Sequence, residues 1–396
     1  MTDTGNRKNF SAAGAIILAY IAFISLGLPD GLLGVAWPNM RHDFARALDS
    51  LGMLLVAGTT GYLLSSFFSG HILVRFGVGS LLAASCALTG MGLIGYSLSH
   101  SWWLMVPLAA AGGLGAGAID AGINVYVAAN YGERTMQWLH ASYGIGITLG
   151  PMIMTAGLAL SATWRTGYAL VGAAQLILAF CFMLTHTVWK AGRSDDRSKH
   201  HDERGGHPAS IMETLGEVRV WVSMLLFFVY CGIEASVGMW SYSLLTESRG
   251  IPPSLAGIWV GGYWATFTIG RIAAGIFTKR MPIGRLIAFC IAVAGIGALV
   301  LIWNPFFFSS LLAVAVIGFA IAPIYPGLVF LTSRRVGARF TPQTIGMQTS
   351  AAGLGLAIIP ALTGIAARHT SLETVPLLIL IWTVLLFIVY IFAMQR

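Results

Sequence analysis

Three acidic residues, Asp30, Asp120 and Glu234, interrupt long apolar stretches of this chain. An ionised side chain at the centre of a lipid bilayer costs at least about 2.5 to 3.5 kcal/mol, so such residues are rare there and usually have a function. Removal from water favours the neutral form of a carboxyl group, which prepares it to exchange protons near neutral pH. The pattern therefore indicates proton transfer inside a membrane, with Asp120 and Asp30 as candidate proton sites and Glu234 as a substrate acceptor or a second proton site.

Asp120 is the only charged residue between positions 104 and 129, in the segment GGLGAGAIDAGIN. Asn124 follows one helical turn later on the same face, where it can orient the carboxyl group or contact a substrate. The alternative to a proton site is a carboxylate that only links helices, by hydrogen bonds to small residues or to Arg271. In both cases the glycines predict close helix packing.

Asp30 stands in GLPDG, where Pro29 lacks a backbone N–H and the flanking glycines loosen a helix. This predicts a helix break near mid-membrane, or, as ordinary turn chemistry, an acid that caps the start of a helix.

Other polar and aromatic residues in apolar stretches suit a hydroxyl-rich solute, because amides bind hydroxyl groups and flat rings pack against C–H groups. His140 shares a helix face with Tyr143, although a histidine in such a place often only links helices. Arg271 either neutralises an acid or extends to the membrane edge. The further candidates for substrate contact are Tyr325, Trp240 and Gln348.

Membrane-spanning helices must position these residues. Of the 396 residues, 57% are hydrophobic and only 10% charged, against roughly 25% charged in ordinary globular domains. Apolar runs of at least 18 residues, long enough to cross a bilayer, recur along the chain. They predict twelve spans, at 11–40, 49–73, 79–99, 102–129, 137–161, 165–188, 219–246, 254–278, 283–303, 306–333, 342–367 and 371–394.

The distribution of the basic residues between the two sides of the membrane predicts the topology. With the N-terminus in the cytoplasm, 17 of the 23 Lys and Arg residues fall in cytoplasmic segments, as the positive-inside rule requires. The formal net charge of +8 therefore needs no nucleic-acid partner. We expect both termini to be cytoplasmic in a bacterial inner membrane, and the protein to be a monomer.

One long polar segment divides six spans from six, which predicts an N-terminal bundle (1–189), a charged cytoplasmic linker (190–217) and a C-terminal bundle (218–396). At a fixed offset of 205 residues, ten glycine pairs superpose where roughly three are expected by chance. The two halves are therefore parallel repeats. At this offset Tyr325 takes the position of Asp120, and Arg75 matches Arg280 as gating or charge partners.

Two parallel six-span halves with a charged central linker resemble the major facilitator superfamily of secondary transporters. The loop signature of that family has altered counterparts in GHILVRFGVG at 70–79 and GIFTKRMPIGR at 275–285. The resemblance implies an all-α integral membrane protein with twelve transmembrane helices in two pseudo-symmetric halves.

Within that superfamily the chain resembles the fucose permease-like, proton-coupled sugar transporters. DAGIN at 120–124 is similar to the acid and asparagine of their fourth helix, and IYPG at 324–327 to the Tyr-Pro of their tenth. LHASYGIGITLGP at 139–151 is similar to their fifth helix, which implies a substrate-binding role at His140. The implied function is symport of protons with a small hydroxyl-rich solute such as a monosaccharide, by alternating access and without a cofactor.

Three other functions stay open. One is proton-coupled export of drugs or metabolites, and another is transport of an organic anion, if Arg271 lines the cavity. The third is a non-transporting membrane sensor. The chain contains no GxxxxGK[ST] phosphate-binding loop and no nucleophile or metal constellation, so we expect neither ATP-driven transport nor an enzyme.

Overall fold

The computed structural model describes residues 4–46, 50–161, 163–191 and 209–395. Within these ranges it is helical and contains no strand, because lipid offers no partner to an open backbone. The first helices are α1 (Thr4–Asp43), α2 (Leu51–Phe76), α3 (Val78–Leu98), α4 (Trp102–Asn130), α5 (Glu133–Ser161), α6 (Arg165–Leu184) and α7 (His186–Ala191). They are followed by α8 (Ile211–Leu215), α9 (Val218–Ser243) with a π-helical turn (Leu244–Ser248), α10 (Pro253–Phe277), α11 (Ile283–Trp303), α12 (Ser309–Ile321), α13 (Ile324–Val336), α14 (Thr341–His369) and α15 (Thr374–Gln395).

Eleven helical segments in the described ranges are long and apolar enough to cross a membrane, and α12 with α13 forms one of them. The helix α10 adds a further 25 residues of continuous helix. The predicted all-α, multi-pass class is confirmed, and its twelve spans correspond to these eleven segments and α10.

The helix α1 runs unbroken for 40 residues through Pro29 and Asp30. The predicted break at Asp30, and the alternative of a helix-start cap, are therefore wrong. Pro29 cannot donate to the carbonyl of Ser25, but Nε2 of Gln175 in α6 donates to that oxygen at 2.9 Å. The freed carbonyl is thus satisfied from a neighbouring helix, and the backbone has no reason to open.

Glycines also bring α1 close to α5. Gly27 and Gly31 lie so close to Gly146 and Gly150 that a methyl group on any of them would overlap the backbone of the facing helix. This contact occurs at the level of Asp30 and brings the acid beside the side chains of α5.

The chain separates into two compact units. Unit 1 comprises Met1–Asn130, Leu139–Ile211 and Ala338–Ser350, and unit 2 comprises Tyr131–Trp138, Met212–Gly337 and Ala351–Arg396. In unit 1 the first half of α14 packs on α2, where Ser350 donates to the Leu63 carbonyl at 2.8 Å. The predicted bundle boundaries stay a prediction, and residues 192–208 of the predicted linker, with its histidines, lie outside the described residues.

The 205-residue repeat recurs in the packing inside each unit. In unit 1 a methyl group on Gly92 of α3 would lie 3.3 Å from the carbonyl oxygen of Leu108 in α4. In unit 2 a methyl group on Gly297 of α11 would lie 3.4 Å from the carbonyl oxygen of Ala313 in α12. Both residues of the first contact map onto the second at the same offset, so the paired glycines mark equivalent helix contacts.

We expect Gln175→Leu to lower the free energy of unfolding by about 1 to 3 kcal/mol, because the Ser25 carbonyl is then buried without a donor. Thermal or denaturant unfolding of the detergent-purified chain measures this loss.

The control is the same change in a Pro29→Ala background, where residue 29 can donate to Ser25 itself. The cost of Gln175→Leu should be smaller there. An equal cost in both backgrounds would contradict the assigned role of Gln175.

Arg249 joins the end of α9 to three other segments. Its guanidinium donates to Glu373, with Nη2 to Oε2 at 2.7 Å, to the Leu301 carbonyl at 2.7 Å and to the Ser310 hydroxyl at 2.8 Å. The hydrogen bond from Arg249 lowers the pKa of Glu373 below its ordinary value of 4.5. The ion pair therefore contributes stability above that value, and the contribution is lost as the pH falls through the lowered pKa.

The Glu373→Gln variant should be slightly less stable than wild type at neutral pH and should lose less stability on acidification below pH 4.5. The effect is modest because the Glu373 side chain is 46% exposed. Unfolding temperatures measured between neutral pH and about pH 3 give the comparison, with Glu247→Gln as a neighbouring exposed control. Parallel pH curves for wild type and Glu373→Gln would refute this assignment.

Candidate functional site

Unit 1 contains a buried polar chain built around Asp120. Nδ2 of Asn124 donates to Oδ1 of Asp120 at 2.8 Å, and Oδ1 of Asn124 lies 2.9 Å from Nε2 of His140. The hydroxyl of Tyr62 donates to Oδ2 of Asp120 at 2.5 Å. The structure thus unites three residues named from the sequence and adds Tyr62.

The small residues of α2, α3 and α4 make this arrangement possible. Gly117 lies against the Tyr62 carbonyl of α2, and Gly115 lies against the Ser85 carbonyl of α3. Because α2 and α4 approach so closely, the Tyr62 phenol reaches the Asp120 carboxylate three residues beyond the contact at Gly117. The glycines beside Asp120 do pack helices, as the sequence predicts.

The chemistry of these side chains determines which atom donates in each of their hydrogen bonds. Asn124 presents its amide N–H₂ to the carboxylate, so its oxygen faces His140, whose Nε2 must carry a proton and donate. Both oxygens of Asp120 then act as acceptors, which suits the ionised form. Protonation on Oδ2 would turn Asp120 into a donor towards Tyr62 and force that hydroxyl to reorient.

Asp30 forms a separate pair with Tyr143. The Tyr143 hydroxyl donates to Oδ2 of Asp30 at 2.6 Å, and Asp30 is exposed whereas Asp120 is 8% exposed. Because an ionised acid against lipid is costly, this exposure favours a polar environment around Asp30. His140 and Tyr143 share a helix but belong to different polar groups.

Unit 2 contains an acidic and a positively charged side chain close to each other. Glu234 of α9 interacts electrostatically with Arg271 of α10. Tyr263 of α10 donates its hydroxyl to the Glu234 backbone carbonyl at 3.0 Å, and Tyr230 lies close to the same acid. The Arg271 side chain is only 7% exposed, so it is buried near Glu234 and does not extend to the membrane edge.

Arg271 also supports the break in the tenth span. Pro326 cannot donate to the Ala322 carbonyl, where α12 ends. Nε of Arg271 lies 3.5 Å from that oxygen, and its guanidinium carbon is 4.2 Å from the ring centre of Phe267. The Pro323 carbonyl accepts a hydrogen bond from Gln137 at 3.0 Å. The Arg271 side chain thus stands in for the donor that Pro326 lacks, whereas Gln137 adds a second hydrogen bond to a carbonyl that the Gly327 N–H already reaches at 3.1 Å.

The remaining predicted residues are placed as follows. Tyr325 packs edge-on against Phe227, with ring centres 4.8 Å apart, and Gln348 is fully buried. Trp240 donates its indole N–H to the Pro360 carbonyl at 3.0 Å, which ties it to α14 and leaves only its ring for a substrate. Arg75 and Arg280 are exposed.

Sequence reasoning missed Tyr62, Tyr230, Tyr263, Gln137 and Gln175. Four of them each make one hydrogen bond to another segment of the chain, and no spacing in the sequence reveals such a contact. These are Tyr62, Tyr263, Gln137 and Gln175. For Tyr62 a signal existed, because it stands between Gly61 and the paired serines Ser65 and Ser66 on a small-residue face of α2.

The polar chain of unit 1 has no counterpart in unit 2. At the offset of 205, Asp120 is replaced by Tyr325, Asn124 by Val329, His140 by Ile345 and Tyr62 by Phe267. Conversely, the Glu234–Arg271 pair of unit 2 has no counterpart in unit 1, because Arg271 corresponds to Ser66 there. The packing is repeated and the chemistry is not. No group of three or more His, Cys, Asp or Glu suited to a metal ion occurs among the described residues.

The sequence profile of the Major Facilitator Superfamily matches residues 19–339 and 222–396, which together span most of the chain. The chain belongs to this superfamily. It is a multi-pass membrane transporter, not an enzyme.

Three similar proteins illustrate the range of this superfamily. The sodium-dependent glucose transporter 1A of Mus musculus is 24% identical, with 88% of this chain and 89% of the relative covered. The glucose/mannose transporter GlcP of Bacillus subtilis (strain 168) is 22% identical, with 89% and 87% covered. The crystal structure of the E. coli fucose:proton symporter FucP shares the fold, with a TM-score of 0.74 at 15% identity over 96% of this chain and 98% of that one.

The Glu234–Arg271 pair should be energetically coupled. We expect the loss of stability in the double variant Glu234→Gln/Arg271→Gln to fall short of the sum of the two single losses by about 1 kcal/mol, because each single change leaves one charge without its partner. Unfolding free energies of the four proteins give the coupling.

A matched cycle of Arg271→Gln with Glu247→Gln serves as control, since residue 247 lies about 20 Å further along the helix. Its two losses should simply add. Additive losses in the Glu234 cycle would contradict the pairing.

Proposed function

We propose that the protein is a secondary active transporter that moves a small sugar together with protons by alternating access, with Asp120 as the proton site. The observation that carries this proposal is the hydrogen-bonded chain Tyr62–Asp120–Asn124–His140 within unit 1. It combines one titratable acid with groups whose hydrogen bonds must change when that acid takes up a proton.

The different burial of Asp120 and Asp30, both in unit 1, supports different tasks for them. Asp120, Asn124 and His140 are all at most 8% exposed, so a proton on Asp120 is shielded from bulk water. Its binding would change the hydrogen bonds that connect α2, α4 and α5. The exposed Asp30 and its partner Tyr143 are instead accessible to a solute. We therefore propose Asp120 as the coupling acid, Asn124 and His140 as its relay, and the pair Asp30–Tyr143 as the first contact for sugar hydroxyl groups.

A sugar is the proposed substrate because the accessible polar groups, Asp30 and Tyr143, form a hydrogen-bonded pair that can bind hydroxyl groups. Arg271 is engaged by Glu234 and Phe267, so the cation that an organic anion would need is already balanced. Two relatives of this chain carry glucose in their names and the structural neighbour carries fucose. Within unit 2, Glu234, Tyr325 and Trp240 are the proposed substrate contacts, and within unit 1 Gln348 is a further one.

The same proposal includes orientation. The distribution of Lys and Arg supports two cytoplasmic termini in the plasma membrane of a bacterium. An exporter of drugs or metabolites is the second candidate, and transport assays of either direction in oriented vesicles separate the two.

Asp120→Asn should abolish uphill accumulation of sugar driven by a pH gradient, because the amide cannot take up a proton, while exchange of labelled sugar across the membrane persists. Proteoliposomes with an imposed pH gradient provide the measurement. Undiminished uphill transport by this variant would exclude Asp120 as the coupling site.

Asp30→Asn is the contrasting variant. It should raise the KM for the sugar by about tenfold, the loss expected for one hydrogen bond to a charged group, and should keep the dependence on the pH gradient. Accumulation that follows a sodium gradient and ignores a pH gradient would refute proton coupling for the whole protein.

A further inference from the structure

A cavity of about 340 Å³ lies in unit 2, away from the Glu234–Arg271 pair. It is bordered by the start of α9, the last turn of α13 and the end of α15. Its lining residues are Gly216, Glu217, Val218, Arg219, Val222, Ser223, Arg335, Phe392 and Ala393. The transport chemistry proposed above uses none of them.

Arg335 brings an incompletely paired cation to this cavity. Its Nη2 donates to the Leu328 carbonyl at 2.9 Å, whereas its Nε and Nη1 are fully buried and have no hydrogen-bond partner among the described residues. A guanidinium in such a position ordinarily pairs with a carboxylate or a phosphate, since burial of an unpaired charge is costly.

Ser223 is a second unsatisfied donor of the same lining. Some hydroxyl groups in these helices return to the carbonyl four residues earlier, as Thr332 does to Leu328 at 3.0 Å and Ser241 to Val237 at 2.6 Å, whereas Ser236 of α9 does not. The Ser223 hydroxyl is buried and has no partner within the described structure. Two buried donors of one cavity therefore lack acceptors.

The remaining groups favour an anion. Arg219 adds a second positive charge and Glu217 a negative one, so the three charged side chains leave the cavity with one net positive charge. The cavity also adjoins the first turn of α9, whose backbone N–H groups attract negative charge. We propose that this cavity binds a phosphate group held by Arg335, Ser223 and Arg219, as presented by the headgroup of an anionic phospholipid.

The surroundings favour a lipid as the source of the phosphate. Phe392 and Trp221 are exposed beside the site, and Trp221 donates its indole N–H to the Leu215 carbonyl at 2.8 Å. Exposed tryptophan rings such as Trp221, with the indole N–H satisfied, are typical of the membrane interface, where headgroups lie. Basic residues at helix ends on the predicted cytoplasmic side commonly serve headgroups in this way.

The test is a thermal-shift titration of the purified full chain in detergent with three probes. These are inorganic phosphate, short-chain phosphatidylglycerol and phosphatidylcholine of the same chain length, the last to measure the effect of the acyl chains alone. A specific ligand of the folded state raises the unfolding temperature in a saturable way. We expect saturable stabilisation by phosphatidylglycerol beyond that by phosphatidylcholine.

Arg335→Gln should weaken this binding by about tenfold or more, because a charge-assisted hydrogen bond is lost. Arg334→Gln is the matched control, since it removes the same charge from the adjacent, exposed residue, and should bind as wild type does. If Arg335→Gln does not fold, Ser223→Ala provides the test, with an expected weakening of about threefold to tenfold.

Saturable stabilisation by inorganic phosphate that also depends on Arg335 or Ser223 would support a phosphate site with a soluble ligand as its source. The proposal is overturned if neither phosphatidylglycerol nor phosphate stabilises the chain, or if Arg334→Gln and Arg335→Gln weaken the response equally.

Discussion

Inside a bilayer no water replaces a missing hydrogen bond, and this constraint governs the structure wherever proline stands within a span. Pro29 leaves the Ser25 carbonyl without its helical donor, and Gln175 supplies one from α6. Pro326 does the same to the Ala322 carbonyl, and Arg271 is placed against it from α10. In the first case the helix continues. In the second, where Pro323 precedes by three residues, it breaks into α12 and α13.

Close approach of backbones is the second requirement, because helices in lipid associate by packing and not by hydrophobic burial. Glycines meet this need in both units at equivalent positions, as the contacts of Gly92 and Gly297 demonstrate. The same contacts decide where side chains can meet. Tyr62 reaches Asp120 because Gly117 lets α2 approach α4, and Tyr143 reaches Asp30 because Gly27 and Gly146 bring α1 to α5.

Upon this repeated framework each unit carries its own polar group. In unit 1, Asp120 accepts hydrogen bonds from the Tyr62 phenol and the Asn124 amide, and Asn124 in turn contacts the His140 imidazole. In unit 2, Glu234 lies close to the positive charge of Arg271. The two units therefore differ in their polar groups, an acid linked to neutral side chains in one and an acid beside a cation in the other.

The sequence alone determined the class of protein, the helical spans and the repeat, because hydropathy and glycine spacing are properties of the chain read in order. It also named Asp120, Asn124 and His140, since i to i+4 spacing on a helix is itself a spatial relation. It did not determine the course of α1 at Pro29, which depends on a donor about 150 residues away in the sequence. Nor did it reveal Tyr62 or the unpaired donors of Arg335 and Ser223. Partners on different helices are chosen by packing, and only the tertiary structure brings their atoms together.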